Sequence, residues 1–184
     1  GTGHFYLPQD NPLPEEEVYS RFYYFVDTDL DGDDDIIRVD LNLNGIHNLN
    51  LLVNTAGSYT PTQGSFPGSS YLHNGLVISD FNLDGDVDIY APRVNLGAVA
   101  YDWYLGNMGN NIFVEEPYAL PTVLDFTVSC GLINHPGDNH PDIFVLNSGA
   151  EAYNTGQNRI YINDHTVASD DPSVPSVSIG AYPN

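Results

Sequence analysis

Two short stretches of this chain set oxygen-bearing side chains at the spacing a hard cation requires. Residues 27–35 read Asp27-Thr28-Asp29-Leu30-Asp31-Gly32-Asp33-Asp34-Asp35. Side chains at loop positions one, three, five and nine can converge on one ion while Gly32 permits the sharp turn between them. Residues 80–88 repeat the arrangement with Asp80, Asn82, Asp84 and Asp88 around Gly85, the Asn lowering the ligand charge by one. The backbone carbonyls of Asp33 and Asp86, at position seven, complete the expected ligand sets. Carboxylate and amide oxygens without sulfur or imidazole select calcium over transition metals, so two calcium sites are expected.

A third, worn copy keeps the register with Asn134, Asp138 and Asp142. Pro136 stands there where a ligand belongs and Asn139 replaces the glycine, so this site is expected to bind weakly or not at all. The nearby His135, His140 and Cys130 fit no standard zinc spacing and read as parts of an ordinary polar loop. An EF-hand also opens D-x-D-x-D-G, but it needs a bidentate acid at position twelve and flanking helices. Those positions hold Arg38 and Ala91, and Ile36-Ile37 and Ile89-Tyr90 after position nine are strand formers. The loops therefore join β-strands. Acidic Asp-Gly turns without any ion are the plain alternative, and two copies in register weigh against it.

The loops recur about every 53 residues, the size of a propeller blade or a comparable β-unit. A second element recurs between them, reading LLVNTAGSY from residue 51, YLGNMGNNIF from 104 and IYIND from 160, where the copy stops short. Gly1-Thr2-Gly3-His4-Phe5 would complete that last unit. Residues 21–26, 35–39, 88–90, 143–146 and 159–162 are rich in β-branched and aromatic residues and are bounded by Gly, Asn, Asp or Pro, as strands are. With 17 Gly and 13 Pro and no helical period, the chain reads as all-β. Residues 57–70 read as an irregular loop, and 167–184 as a Pro/Ser-rich extended tail or linker. One domain is expected over residues 1–166, with repeats near 20–59, 73–113 and 124–164 and residues 1–5 completing a unit.

The motif D-x-[DN]-x-D-G-x-x-D followed by an apolar strand, at this period, resembles the FG-GAP/VCBS repeats of integrin-α-type β-propellers. The resemblance covers nearly the whole chain up to Asp164. It implies calcium held by Asp27, Asp29, Asp31 and Asp35, and by Asp80, Asn82, Asp84 and Asp88, within four-stranded blades. It also implies an extracellular or cell-surface adhesion, recognition or scaffold module. Propellers close with about four to eight blades, whereas this sequence holds about three plus one split between the termini. Three arrangements follow: a fragment completed by the remaining blades of a larger chain, a domain closed by pairing residues 1–5 with 160–162, or a head-to-tail homopolymer completed by strand exchange.

Charge bounds the partners. The 25 Asp and Glu face four cationic side chains, Arg21, Arg38, Arg93 and Arg159, for a formal charge of -21 and no lysine. Without a basic patch the chain is not expected to bind nucleic acid, nor an anionic membrane surface. No apolar run approaches the roughly 18 residues of a membrane-spanning helix, so membrane insertion is not expected. So much like charge repels itself in the compact state unless bound cations neutralise part of it. The single cysteine, Cys130, allows no internal disulfide. Opening on Gly1 without Met or a leader, the chain is expected to be a mature, processed or truncated product.

A calcium-stabilised structural or adhesive module is thus the leading functional expectation. A carbohydrate-binding, lectin-like propeller fragment is the alternative, because Tyr101, Trp103 and Tyr104 cluster in YDWY and aromatic rings can stack on sugars. A polysaccharide-acting enzyme would need a carboxylate pair outside the loops. Glu115 and Glu116 are adjacent along a strand end, so their side chains diverge. No G-x-S-x-G, HExxH or phosphate-binding glycine loop occurs, and no catalytic residue is assigned.

Overall fold

A computed structural model of the chain describes residues 10, 12–14, 19–41, 47–68, 75–95, 98–99, 101–124, 126–134, 136, 140–148 and 157–164. The described residues are all-β, without helix, and form three antiparallel sheets and a short ribbon. Sheet I runs β1 (Tyr19–Val26), β2 (Asp35–Leu41), β3 (His47–Thr55) and β4 (Ser58–Pro61), each pairing with the next. Sheet II repeats this meander with β5 (Val77–Ser79), β6 (Asp88–Ala91), β9 (Trp103–Asn107) and β10 (Phe113–Glu115). The ribbon β7 (Val94–Asn95) and β8 (Ala98–Val99) is inserted between its second and third strands. Sheet III holds β11 (Thr127–Ile133), β12 (Asp142–Asn147) and β13 (Arg159–Tyr161) in the same order.

Each acidic loop therefore lies between the first and second strands of its sheet, as the apolar residues after position nine predict. The strands expected over 21–26, 35–39, 88–90, 143–146 and 159–162 are present, the last of them ending at Tyr161. One expectation needs correcting: within residues 57–70, Ser58–Pro61 is a strand and not loop. Ala56 and Gly57, at φ 52° and 86°, make the left-handed two-residue turn that matches strand twist and sends the chain back along β3. As an edge strand, β4 tolerates the missing N–H of Pro61, and its Ser, Thr and Pro composition disguised it. The expected strand at residues 1–5, its pairing with 160–162, and the tail 167–184 lie outside the described residues.

Sheet II is the middle layer. Ile89, Trp103, Leu105 and Phe113 pack against Ile37, Val39, Leu49 and Leu51 of sheet I. Its opposite face sets Val77, Tyr90 and Tyr104 against Ile143, Val145 and Tyr161 of sheet III. With both faces covered, β6 and β9 are buried along their whole length. This explains why DIYA and WYLGN lack the in-out alternation of a half-exposed strand. Full burial of each such Leu, Ile or aromatic side chain is worth about 1.5–3 kcal/mol. Asp102 adds a polar tie between sheets II and III, accepting from the Tyr90 hydroxyl, from Arg93 N at 2.9 Å and from Thr127 Oγ1 at 3.1 Å.

Candidate metal centre

The first two acidic loops share one backbone. Leu30 and Leu83, at loop position four, have φ of 61° and 60°, and Gly32 and Gly85, at position six, have 96° and 98°. Their hydrogen bonds also correspond. Asp27 accepts from Asp31 N at 3.1 Å and Gly32 N at 2.9 Å. Asp80 accepts from Asp84 N at 3.1 Å and Gly85 N at 3.0 Å. Position five then accepts from position seven, Asp31 from Asp33 N and Asp84 from Asp86 N, both at 2.9 Å. The first carboxylate thus winds the loop around itself, and each oxygen that accepts one N–H keeps a second lone pair for a cation.

Position nine is the most buried part of the motif. Asp35, Asp88 and Asp142 open the second strand of their sheets with 0% exposure. Asp35 accepts from Thr28 N at 3.0 Å, from the Thr28 hydroxyl, and from Asn54 N at 2.8 Å. Asp88 accepts from Phe81 N at 3.2 Å, the Tyr104 hydroxyl at 2.6 Å and Asn107 N at 3.0 Å. Asp142 accepts from Asn163 N at 2.7 Å. Asp35 and Asp88 thereby pin their loops to the third strand of the sheet, and Asp142 bonds just past the end of β13. Burial raises the pKa of Asp88, opposed in part by those hydrogen bonds, and a neighbouring cation would offset the rise by favouring the charged form.

In the first loop, carboxylate oxygens of Asp27, Asp29 and Asp35 lie within 4.8 Å of one another. Asp29 Oδ1 is shut off from solvent and has no hydrogen-bond partner. A buried carboxylate oxygen left unpaired is costly, and a cation among these three groups would satisfy it, so the three residues could hold a metal ion. Asp31 and Asp33 are exposed and stand outside that cluster. In the second loop Asn82 takes the place of Asp29, accepting from Asp84 N at 3.0 Å and donating to Asp84 Oδ2 at 2.9 Å. Asp80, Asp84 and Asp86 ring the same turn. In the third loop Asn134 is exposed and Asp142 buried, while Asp138 lies outside the described residues.

Two residues beyond the motif belong to the first loop. The hairpin between β9 and β10 brings Asn111 against it, where Nδ2 donates to Asp29 Oδ2 at 3.1 Å and Oδ1 accepts from the Thr28 hydroxyl. Asn107 Nδ2 donates to the Thr28 carbonyl at 3.1 Å. Both lie about 80 positions away in sequence. Asn107 does carry a signal, because an Asn recurs in LLVNTAG, YLGNMG and IYIND.

Of the aromatic cluster, Trp103 and Tyr104 are in the core and Tyr101 is half exposed. The Arg93 guanidinium stacks over the Trp103 ring at 4.5 Å. Glu115 lies 3.8 Å from Arg93, while Glu116 packs over Gly106, so the two carboxylates diverge. Comparison with family models, with curated proteins and with solved structures found no match.

Proposed function

We propose that this chain is a calcium-stabilised structural or adhesive module of the extracellular kind, built on the FG-GAP/VCBS plan of face-packed four-stranded blades. The observation that supports the reading is the duplication of one loop conformation, with the same main-chain hydrogen bonds to the carboxylates at positions one and five, between the first and second strands of sheets I and II. In the first copy, oxygens of Asp27, Asp29 and Asp35 lie within 4.8 Å of one another, and Asp29 Oδ1 is buried without a partner. The ion's part is to neutralise these carboxylates; the chain's part is to wind the loops and latch them to the third strand. Sheets I to III are read as successive blades. Neighbouring blades, from further repeats or from a second copy joined head to tail, would then complete a ring or extend a filament.

The test is thermal unfolding in calcium and in excess chelator. An ion that binds only the folded state stabilises by about 2.7 kcal/mol at a hundred times its dissociation constant. The reading expects a clear rise in midpoint with calcium, lost when Asp27 and Asp80 are both changed to Asn. Equal midpoints would refute it.

A carbohydrate-binding reading has one observation in its favour, a cleft bordered by Arg93, Tyr101, Glu115 and Tyr118. Tyr118 is 97% exposed there, and exposed rings beside carboxylates suit sugar faces. Against it, Trp103 is buried. Binding of soluble glycans that is abolished by Tyr118→Ala would favour this reading over a purely structural one.

A further inference from the structure

We propose that Asn111, from sheet II, supplies an amide oxygen to the cation held by the first acidic loop of sheet I, so that the ion bridges two sheets. The inference rests on the calcium reading above and adds to it a ligand from a different repeat.

The Thr28 hydroxyl has one proton but faces two acceptors, Asp35 Oδ2 and Asn111 Oδ1. It can satisfy one of them at a time. The oxygen and nitrogen of an amide occupy nearly equivalent positions, so turning the Asn111 amide over exchanges them without other movement. Nδ2 then donates to Thr28 Oγ1, the Thr28 proton goes to Asp35, and the conflict is resolved. The exchange leaves Asn111 Oδ1 beside Asp29 Oδ2, two oxygens repelling each other unless a cation lies with them. Asp29 Oδ1, the other oxygen of the same carboxylate, is buried without a hydrogen-bond partner, and a cation beside that carboxylate would satisfy it. One ion answers both requirements.

The backbone is shaped for this contact. Asn110 and Asn111 have φ of 54° and 62°, a left-handed pair that Asn tolerates better than most residues. Asn107 fastens the same hairpin to the Thr28 carbonyl at 3.1 Å. Cation binding in this loop is therefore linked to the docking of sheet II on sheet I, and each strengthens the other by the same factor.

Calcium chloride titrated into chelator-stripped protein, in a background where Asp80→Asn and Asp84→Asn disable the second loop, tests the assignment. Asn111→Gly accepts the positive φ and removes the amide; the dissociation constant should rise about tenfold. Asn111→Asp restores an oxygen and adds charge, and should bind as tightly as the parent or more so. Asn110→Gly, the neighbouring turn residue, should leave affinity unchanged. A merely structural role would weaken Gly and Asp variants alike, and that result, or an Asn111→Gly affinity within about twofold of the parent, overturns the inference alone. A parent that shows no saturable calcium binding removes the calcium reading and this inference together.

Discussion

The side-chain amide of Asn107, at the end of β9, donates to the main-chain carbonyl of Thr28 at 3.1 Å. One sheet further on, Asn163 donates to Phe81 at 2.7 Å. Thr28 and Phe81 hold position two of their loops, so each sheet clasps the acidic loop of the sheet before it with the same bond. Asn54, at the first of these three positions, donates instead to Asp34 of its own loop at 3.1 Å. The repeat is thus a packing rule as well as a sequence pattern.

The clasp predicts the cost of reversing its polarity. Asn107→Asp replaces a donor by a carboxylate facing a carbonyl, in a buried site, and should destabilise by about 2–3 kcal/mol. Asn107 Oδ1 also accepts from Gly109 N at 3.0 Å, and Asp keeps that contact, so the loss isolates the Thr28 bond. Urea unfolding measures it; a change under about 0.5 kcal/mol would mean the clasp is incidental.

The loop backbones predict opposite effects at positions four and six. Gly32 and Gly85 have open space where a Cβ would go, yet their φ values of 96° and 98° are unfavourable for any L side chain. Gly32→Ala should therefore destabilise by about 1–2 kcal/mol through conformation alone. Leu30 is exposed at φ 61°. Leu30→Asn, better suited to that region, should stabilise by up to about 1 kcal/mol. Paired thermal melts of the two variants in chelator check the signs.

Much of this was legible in the sequence, and the limit has a physical origin. The loops, their order, the all-β class and the strands at 21–26, 35–39, 88–90, 143–146 and 159–162 could be read because turn chemistry and strand composition are local. The strand Ser58–Pro61 was hidden because its order comes from pairing with β3 and not from its own residues. Asn111 was hidden for a stronger reason: its partners Thr28 and Asp29 lie about 80 positions away, and nothing local marks the contact. The role of position nine was half visible. The spacing marks Asp35 and Asp88 as ligands, while their latch to Asn54 and Asn107 emerges only when the third strand is in place.

Sheet I contains a buried ion pair that should be sensitive to the loss of one partner. Arg38 Nε and Asp40 Oδ2 are 2.8 Å apart. Asp40 also accepts from the Ser20 hydroxyl and from Asn50 Nδ2 at 2.7 Å. Arg38→Met leaves a buried carboxylate with neutral partners only, and should cost about 3–5 kcal/mol. The double variant Arg38→Met with Asp40→Leu should recover most of that. Denaturant titration of the three proteins checks the pattern.

Cys130 should be inert at neutral pH. Burial, with a smaller contribution from the Asp102 charge, pushes its pKa up to about 12. The thiolate is the reactive form, so alkylation by iodoacetamide at pH 8 should run about a hundredfold slower than in urea-unfolded protein. The raised folded pKa also fixes the sign of the stability change. The unfolded thiol ionises first, so this contribution is intact below about pH 8.5 and is lost as pH rises from there toward 12. Equal alkylation rates in the folded and unfolded protein would contradict the burial of this thiol.

The central claim is that the two acidic loops hold calcium, and isothermal titration of calcium into the chelator-stripped chain addresses it most directly. Saturable binding to two sites is predicted, with one site lost on Asp27→Asn and the other on Asp80→Asn. No saturable heat, with unfolding curves that coincide in calcium and in chelator, would contradict it.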